Sequence, residues 1–286
     1  MTGLYLCAIL PACTDRHARE GGAVAGFLEV DLAQHLDHVE IAPLSDVHPG
    51  DPLFKEGALD GFLRWVLTDP HRYVVLNGDI LNVATKTSVS DVYGSRMTPG
   101  EELRYMTDKL RPLADSGRLL ASTQGNHEYR ITKADGIDPA EVLANNLGVP
   151  YFREGVLLFV KVGKASRTTG RHDAAPVCYS LYFTHGSAGG RRAGGKANRL
   201  EEMSLNIEGA DAIVVGHTHQ AMVLRNSVNV VDAQNKRLVP RDRLYINAGS
   251  FLEWGGYAEV AGFIPGSTTM PVLELSGSRK AMRTTI

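Results

Sequence analysis

The sequence predicts an α/β fold that carries two β-sheets. Three observations support this: from His38 onward short apolar runs alternate with amphipathic helical stretches, the early runs each end in polar residues, and the chain turns β-rich after Gly155. The first predicted strand, Val39 to Leu44, leads into Ser45-Asp46. The second, Tyr73 to Leu76, leads into Asn77-Gly78-Asp79, and the third, Arg118 to Ser122, into Gln124-Gly125-Asn126-His127. Between them, Leu59, Phe62, Leu63, Val66 and Leu67 recur at helical spacing, as do Leu103, Met106, Leu110 and Leu113. The second of these helices has a start signature, with Thr98 as N-cap, Pro99 at the first helical position and Glu101 closing a capping box. Another helix is expected from Asp138-Pro139 to near Gly148.

A second sheet is expected from Val156 to Val162, Val177 to Thr184, Ala212 to Val215, Met222 to Leu224, Asn229 to Asp232, Leu244 to Asn247 and Val272 to Leu275. One helix around Ala197 to Ile207 precedes the Ala212 strand. Residues 1–35 read as an N-terminal arm of undefined structure with no assigned function, and 36–286 as a single domain. The apolar run Gly3 to Leu10 has no basic segment before it and is broken by Pro11, then Asp15, Arg16 and Arg19. It reads as neither a signal peptide nor a membrane span.

Composition excludes some function classes. With 286 residues, 43% of them hydrophobic, the chain can bury a full core. Thirty basic residues against 32 acidic ones leave a formal charge of -2, so no global field draws nucleic acid or an anionic membrane, and any polyanion binding must be local. Cys7, Cys13 and Cys178 are odd in number and form no CxxC pair. That argues against a disulfide framework or a thiolate zinc site and fits a reducing, cytoplasmic setting.

The strand ends collect Asp46-Val47-His48, Gly78-Asp79, Gly125-Asn126-His127-Glu128, Thr184-His185-Gly186 and Gly216-His217-Thr218-His219. In an extended backbone the outer residues of Asp-x-His and His-x-His point the same way. The glycines before Asp79, Asn126 and His217 permit unusual dihedrals and close approach. Imidazole, carboxylate and amide donors without thiolate suit borderline divalent metals. Seven donors, Asp46, His48, Asp79, Asn126, His185, His217 and His219, are too many for one tetrahedral ion. They suit two ions sharing a carboxylate, roughly 3.5–4 Å apart.

This ordered set resembles the calcineurin-like metallophosphoesterase superfamily, whose pattern is D-x-H, G-D, G-N-H-[ED], H and G-H-x-H; the match runs from Asp46 to His219. The resemblance implies a four-layer α/β/β/α sandwich of two mixed sheets flanked by helices. It implies that Asp46, His48 and His219 bind a first metal, that Asn126, His185 and His217 bind a second, and that Asp79 bridges them. His127 becomes the catalytic histidine outside the ligand set. The metals expected are Mn²⁺ first, with Fe, Zn or Ni as alternatives. The expected reaction is hydrolysis of a phosphoester by a metal-bridging hydroxide, with His127 as proton donor to the leaving group.

Five of the ten histidines fall in these motifs in order, whereas His17, His35, His38, His71 and His172 read as ordinary surface or core residues. Gly190 to Ala197 nearly spells a P-loop, but Ala197 lacks the hydroxyl that would hold Mg²⁺. The segment reads instead as a loop presenting Arg191, Arg192 and Lys196 to substrate phosphates, weighed against a plain solvated basic loop. Asn82 and Lys86 are further candidate substrate contacts at the rim, weighed against a hydrogen-bonded turn. The Asn247-Ala-Gly-Ser250 segment reads as structural support.

The protein phosphatases of the superfamily carry G-D-x-V-D-R-G, where this chain reads Gly78-Asp79-Ile80-Leu81-Asn82-Val83-Ala84 without the arginine. The chain is more similar to bacterial and phage metallophosphoesterases, some of which resemble DNA-repair exonucleases. A phosphodiesterase or nuclease acting on nucleic acid or nucleotide diesters, without a membrane partner, is therefore the expected function. A phosphomonoesterase or protein phosphatase, and a non-catalytic scaffold of the same fold, are the alternatives.

Overall fold

The computed structural model describes residues 26–32, 37–86, 88, 92–163, 175–187, 189–205 and 207–286. Residues 1–25, with Cys7, Cys13 and His17, lie outside the described residues, as do His35 and His172. The described strands are β1 (Gly26–Leu32), β2 (His38–Leu44), β3 (Arg72–Asn77), β4 (Leu119–Thr123), β5 (Tyr151–Phe152), β6 (Val156–Val162), β7 (Val177–Phe183), β8 (Ala212–Val215), β9 (Met222–Asp232), β10 (Arg237–Asn247), β11 (Val272–Ser276) and β12 (Met282–Thr285). The helices are α1 (Glu56–Leu67), α2 (Pro99–Asp115), α3 (Asn126–Asp135), α4 (Pro139–Leu147), α5 (Ala193–Ser204) and α6 (Gly256–Val260).

The strands form two mixed six-stranded sheets, ordered β1-β6-β7-β8-β10-β9 and β12-β11-β2-β3-β4-β5. Strand alternation divides the apolar residues into layers. Val74 and Leu76 of β3 face α1, α2 and α4, where Leu59, Leu63, Met106, Leu110 and Leu143 bury against them. Val75, one residue out of phase, faces the other sheet and packs in the layer of Leu158, Val160, Leu181 and Val214. On the far face, Ile213, Val215 and Tyr245 pack against Leu200 of α5. The order is therefore helices, sheet, sheet, helix, the four-layer sandwich expected from the sequence.

Local signals account for the helix ends. Thr98 caps α2, accepting from Glu101 N while the Glu101 carboxylate accepts from Thr98 N at 2.8 Å. Asp138 caps α4, which stops at Gly148 in the left-handed region.

Several elements differ from the sequence expectation. Gly26–Leu32 pairs in parallel with β6 as an edge strand, inside the stretch read as an arm. Met222 to Asp232 is one strand rather than two, and β10 starts seven residues before Leu244. Only Leu244–Asn247 of β10 pair with β8, so the outer parts of β9 and β10 pair with each other as a two-stranded ribbon. Their Asn, Arg and Pro240 content hid the ladder from a β-propensity reading. Among the described residues no helix is long and apolar enough to cross a membrane.

Candidate metal centre

The C-terminal ends of β2, β3, β4, β7 and β8 deliver Asp46, Asp79, Asn126, His185 and His217 to one place. The loops there are sharply bent. Asp46, His48, Asp79, His217 and His219 all have positive φ, between 49° and 68°, a region that non-glycine residues rarely occupy. The extended backbone that the Asp-x-His and His-x-His spacing invited is therefore not what brings those side chains together. Of the three glycines expected to take unusual dihedrals, Gly78 does, at φ 79°, while Gly125 sits at -99° as the N-cap of α3. Gly125 is required for close approach instead, because a Cβ there would collide with Asp79 Oδ1 and the Asp79 backbone nitrogen.

Hydrogen bonds hold these conformations and aim the donor atoms. Asp46 Oδ2 accepts from Ser45 Oγ at 2.6 Å and from His217 N at 3.0 Å, which leaves Oδ1 buried with no hydrogen-bond partner. That oxygen lies 3.1 Å from His219 Nε2 and 3.9 Å from His48 Nε2. The two Nε2 atoms are themselves 3.4 Å apart.

Asp79 divides its carboxylate in the same way. Oδ1 accepts from His127 N at 2.8 Å, and Oδ2 faces His185 Nε2 at 3.2 Å, His48 Nε2 at 3.8 Å and His127 Nε2 at 3.9 Å. Asn126 Oδ1 lies 3.1 Å from His185 Nε2 and 2.6 Å from His217 Nδ1. His185 Nδ1 is tied to Asn77 O and His127 Nδ1 to Asn82 O, each at 2.9 Å, so both rings turn Nε2 toward the site.

Three overlapping donor groups result, Asp46-His48-His219, His48-Asp79-His127 and Asp79-His185-His217. The fit to divalent cations is good. An orphaned buried carboxylate oxygen and imidazole nitrogens converge in a space that is buried around Asp46, His48, Asp79 and His185 and open at His217 and His219, an arrangement costly without a cation among them. Charge reflects that convergence. Burial opposes charge on Asp46, yet the His219 interaction outweighs it and holds the carboxyl at about 2. Burial likewise disfavours a charged His185, but Asp79 raises it to about 10. His48 has no such net partner and is pushed well below its usual value, first by burial and then by His127.

Of the candidate substrate contacts, Asn82 is buried and its backbone N–H donates to Glu102 Oε2 at 2.5 Å. Lys86 is exposed. Arg191 and Arg192 are exposed just before α5, on a loop whose Gly189 packs on Thr218. Lys196 is only 5% exposed and its ammonium donates to Thr218 O at 2.9 Å, so here it supports the loop of His217 and His219. Asn247, behind the same loop, donates to Gln220 O at 2.5 Å and to Thr218 Oγ1.

Three contributors had no role assigned from the sequence, Glu128 being placed in a motif only and Glu102 and Arg130 not singled out. Glu128 accepts from the backbone N–H groups of Asp79, Leu81 and Gly125. Glu102 accepts from those of Asn82 and Val83. Arg130, one turn past Asn126 on α3, has a buried Nη1 with no hydrogen-bond partner. The available signal was helical: Glu128 at the third position of α3 and Gly136 at its left-handed stop mark a helix on which Asn126 and Arg130 share a face.

Residues 40–221 match the family model of the calcineurin-like phosphoesterases, and the chain belongs to that family. Divalent metals are the cofactors of this family, and the clusters above could hold them. No curated protein matches the sequence significantly. Solved structures similar to the chain include the calcineurin-like phosphoesterase YfkN from Bacillus subtilis, at 12% identity over 87% of this chain and 90% of that one, with a TM-score of 0.42. A metallophosphoesterase from Sphaerobacter thermophilus shows 16% identity over 83% and 84%, with a TM-score of 0.37. Vps29 complexed with zinc from Entamoeba histolytica shows 13% identity over 86% and 97%, also with a TM-score of 0.37.

Proposed function

We propose that the protein is a dinuclear-metal phosphodiesterase acting on nucleic acid or nucleotide diesters. The observation that supports this most is the position of Asp79 Oδ2, which lies 3.2 Å from His185 Nε2, 3.8 Å from His48 Nε2 and 3.9 Å from His127 Nε2. Asp46, His48 and His219 would hold one ion, Asn126, His185 and His217 the other, and Asp79 both. When bound, such ions, Mn²⁺ being our first choice, neutralise phosphoryl oxygens and acidify water.

The chain's own residues supply the rest. His127 is anchored through Nδ1 to Asn82 O, so a proton carried on Nε2 can pass to a departing alkoxide. Arg130 is close enough to feel Asp79, Glu128 and Glu102, and its half-buried guanidinium would pair with the substrate phosphate. Lys86, Arg191 and Arg192 would meet the outer phosphates.

The test compares metal-restored hydrolysis of bis-p-nitrophenyl phosphate with that of p-nitrophenyl phosphate. Diester preference is expected. Monoester preference would replace this reading with a phosphomonoesterase.

A further inference from the structure

A second group of donors lies at the opposite end of the sheet that carries Asp46 and Asp79. Asp37 precedes β2, His38 opens it, and His71 immediately precedes β3. Because β2 and β3 pair in parallel with Glu40 opposite Arg72, the two imidazoles come side by side. Their rings stack with centroids 4.4 Å apart and 4° between planes, so their in-plane lone pairs run parallel, and the more exposed His38 ring has to turn before both can meet one ion. Asp37 Oδ1 lies 2.6 Å from His38 Nδ1 and 3.8 Å from His71 Nε2, and all three residues offer donor atoms within 4.8 Å of one another.

The far side of His71 decides the reading. Asp69 Oδ1 accepts the His71 backbone N–H at 2.9 Å and lies 2.8 Å from His71 Nδ1. A carboxylate in that position accepts a hydrogen bond from a protonated Nδ1 and leaves Nε2 with its lone pair toward Asp37. This is the carboxylate–histidine arrangement that orients imidazole ligands. Arg72 keeps Asp69 in place, with Nη2 3.6 Å from Asp69 Oδ2, while its Nε donates to Glu40 at 2.7 Å.

We propose that Asp37, His38 and His71 form a separate mononuclear site for a borderline divalent cation such as Zn²⁺, with Asp69 orienting His71 and the remaining positions open to water. It is distinct from the phosphoesterase centre, since β2 alone puts roughly 20 Å of strand between them. The ion would clamp the chain ahead of β2 to the turn ahead of β3.

The experiment measures zinc per chain on chelator-stripped, full-length protein re-equilibrated with buffered Zn²⁺. Wild type is expected to hold one equivalent more than either His71→Ala or His38→Asn. Metal-free thermal melts identify any variant that has failed to fold, and His38, the more exposed of the two, is the safer substitution. Asp69→Asn is expected to weaken the extra equivalent by about 10- to 100-fold. Equal zinc content in wild type and a folded histidine variant overturns the site.

Discussion

Glu128 Oε2 accepts the backbone N–H of Asp79 at 3.1 Å, joining the start of α3 to the loop that presents the central carboxylate. The same side chain accepts from Leu81 N at 2.8 Å and Gly125 N at 3.1 Å. Glu128→Ala leaves three amides without their acceptor, and at about 1 kcal/mol each the expected loss is about 3 kcal/mol. Glu128→Gln keeps one acceptor oxygen and should lose about 1 kcal/mol. Urea unfolding curves measure both, and equal losses would remove the acceptor role.

Glu102 gives a pH dependence. Burial raises its carboxyl to about 7 against the bonds from Val83 and Asn82, so the folded chain keeps a proton that the unfolded chain releases near 4.5. The folded state binds more protons across that window, so stability falls as pH rises from about 4.5 to 7 and levels off above it. Glu102→Gln cannot ionise. Relative to it, wild type is expected to lose up to about 3 kcal/mol between pH 4.5 and 8, read from urea midpoints. Parallel profiles would contradict the shift.

Lys196 and Asn247 hold the loop between His217 and His219 from behind. Lys196→Ala or Asn247→Ala is expected to weaken metal binding by about 10- to 100-fold while leaving every donor in place. Calorimetric titration with Mn²⁺ checks this, and wild-type affinity in both variants would contradict it.

Arg130→Ala is expected to lower kcat/KM on diesters by about 10- to 100-fold, with metal content unchanged. Arg130→Lys should recover little of the loss, because an ammonium lacks the planar fork that meets two phosphate oxygens. Full recovery by lysine would reduce the role to charge alone.

His127→Ala should keep its metals and lose about 10²- to 10⁴-fold on alkyl diesters, with a smaller loss on aryl phosphates whose leaving groups need no proton. Equal losses on both substrates would remove the leaving-group role.

The sequence carried much of this. The capping box at Thr98 and Glu101 is a local signal, and the structure shows it as read. The strand ends at Asp46 and Asp79 were legible because the apolar runs of β2 and β3 are followed at once by polar residues. What stayed hidden depends on tertiary contacts. The positive φ of Asp46 is held by the bonds from Asp46 N to Gly78 O and from Phe251 N to Asp46 O, between residues far apart in the chain. Lys196 looked like a surface cation in a basic loop, and its burial follows only from where α5 packs. The β1 edge strand takes its register from β6, more than a hundred residues away.

Metal content and activity measured in one series test the Asp79-bridged dinuclear centre most directly. Chelator-stripped protein is re-equilibrated with Mn²⁺ and assayed on bis-p-nitrophenyl phosphate, wild type beside Asp79→Ala. Metal-restored diester hydrolysis is expected in wild type, with two equivalents of metal that Asp79→Ala loses or scrambles together with activity. Unaltered metal content in Asp79→Ala, or no hydrolysis by metal-loaded wild type, would contradict it.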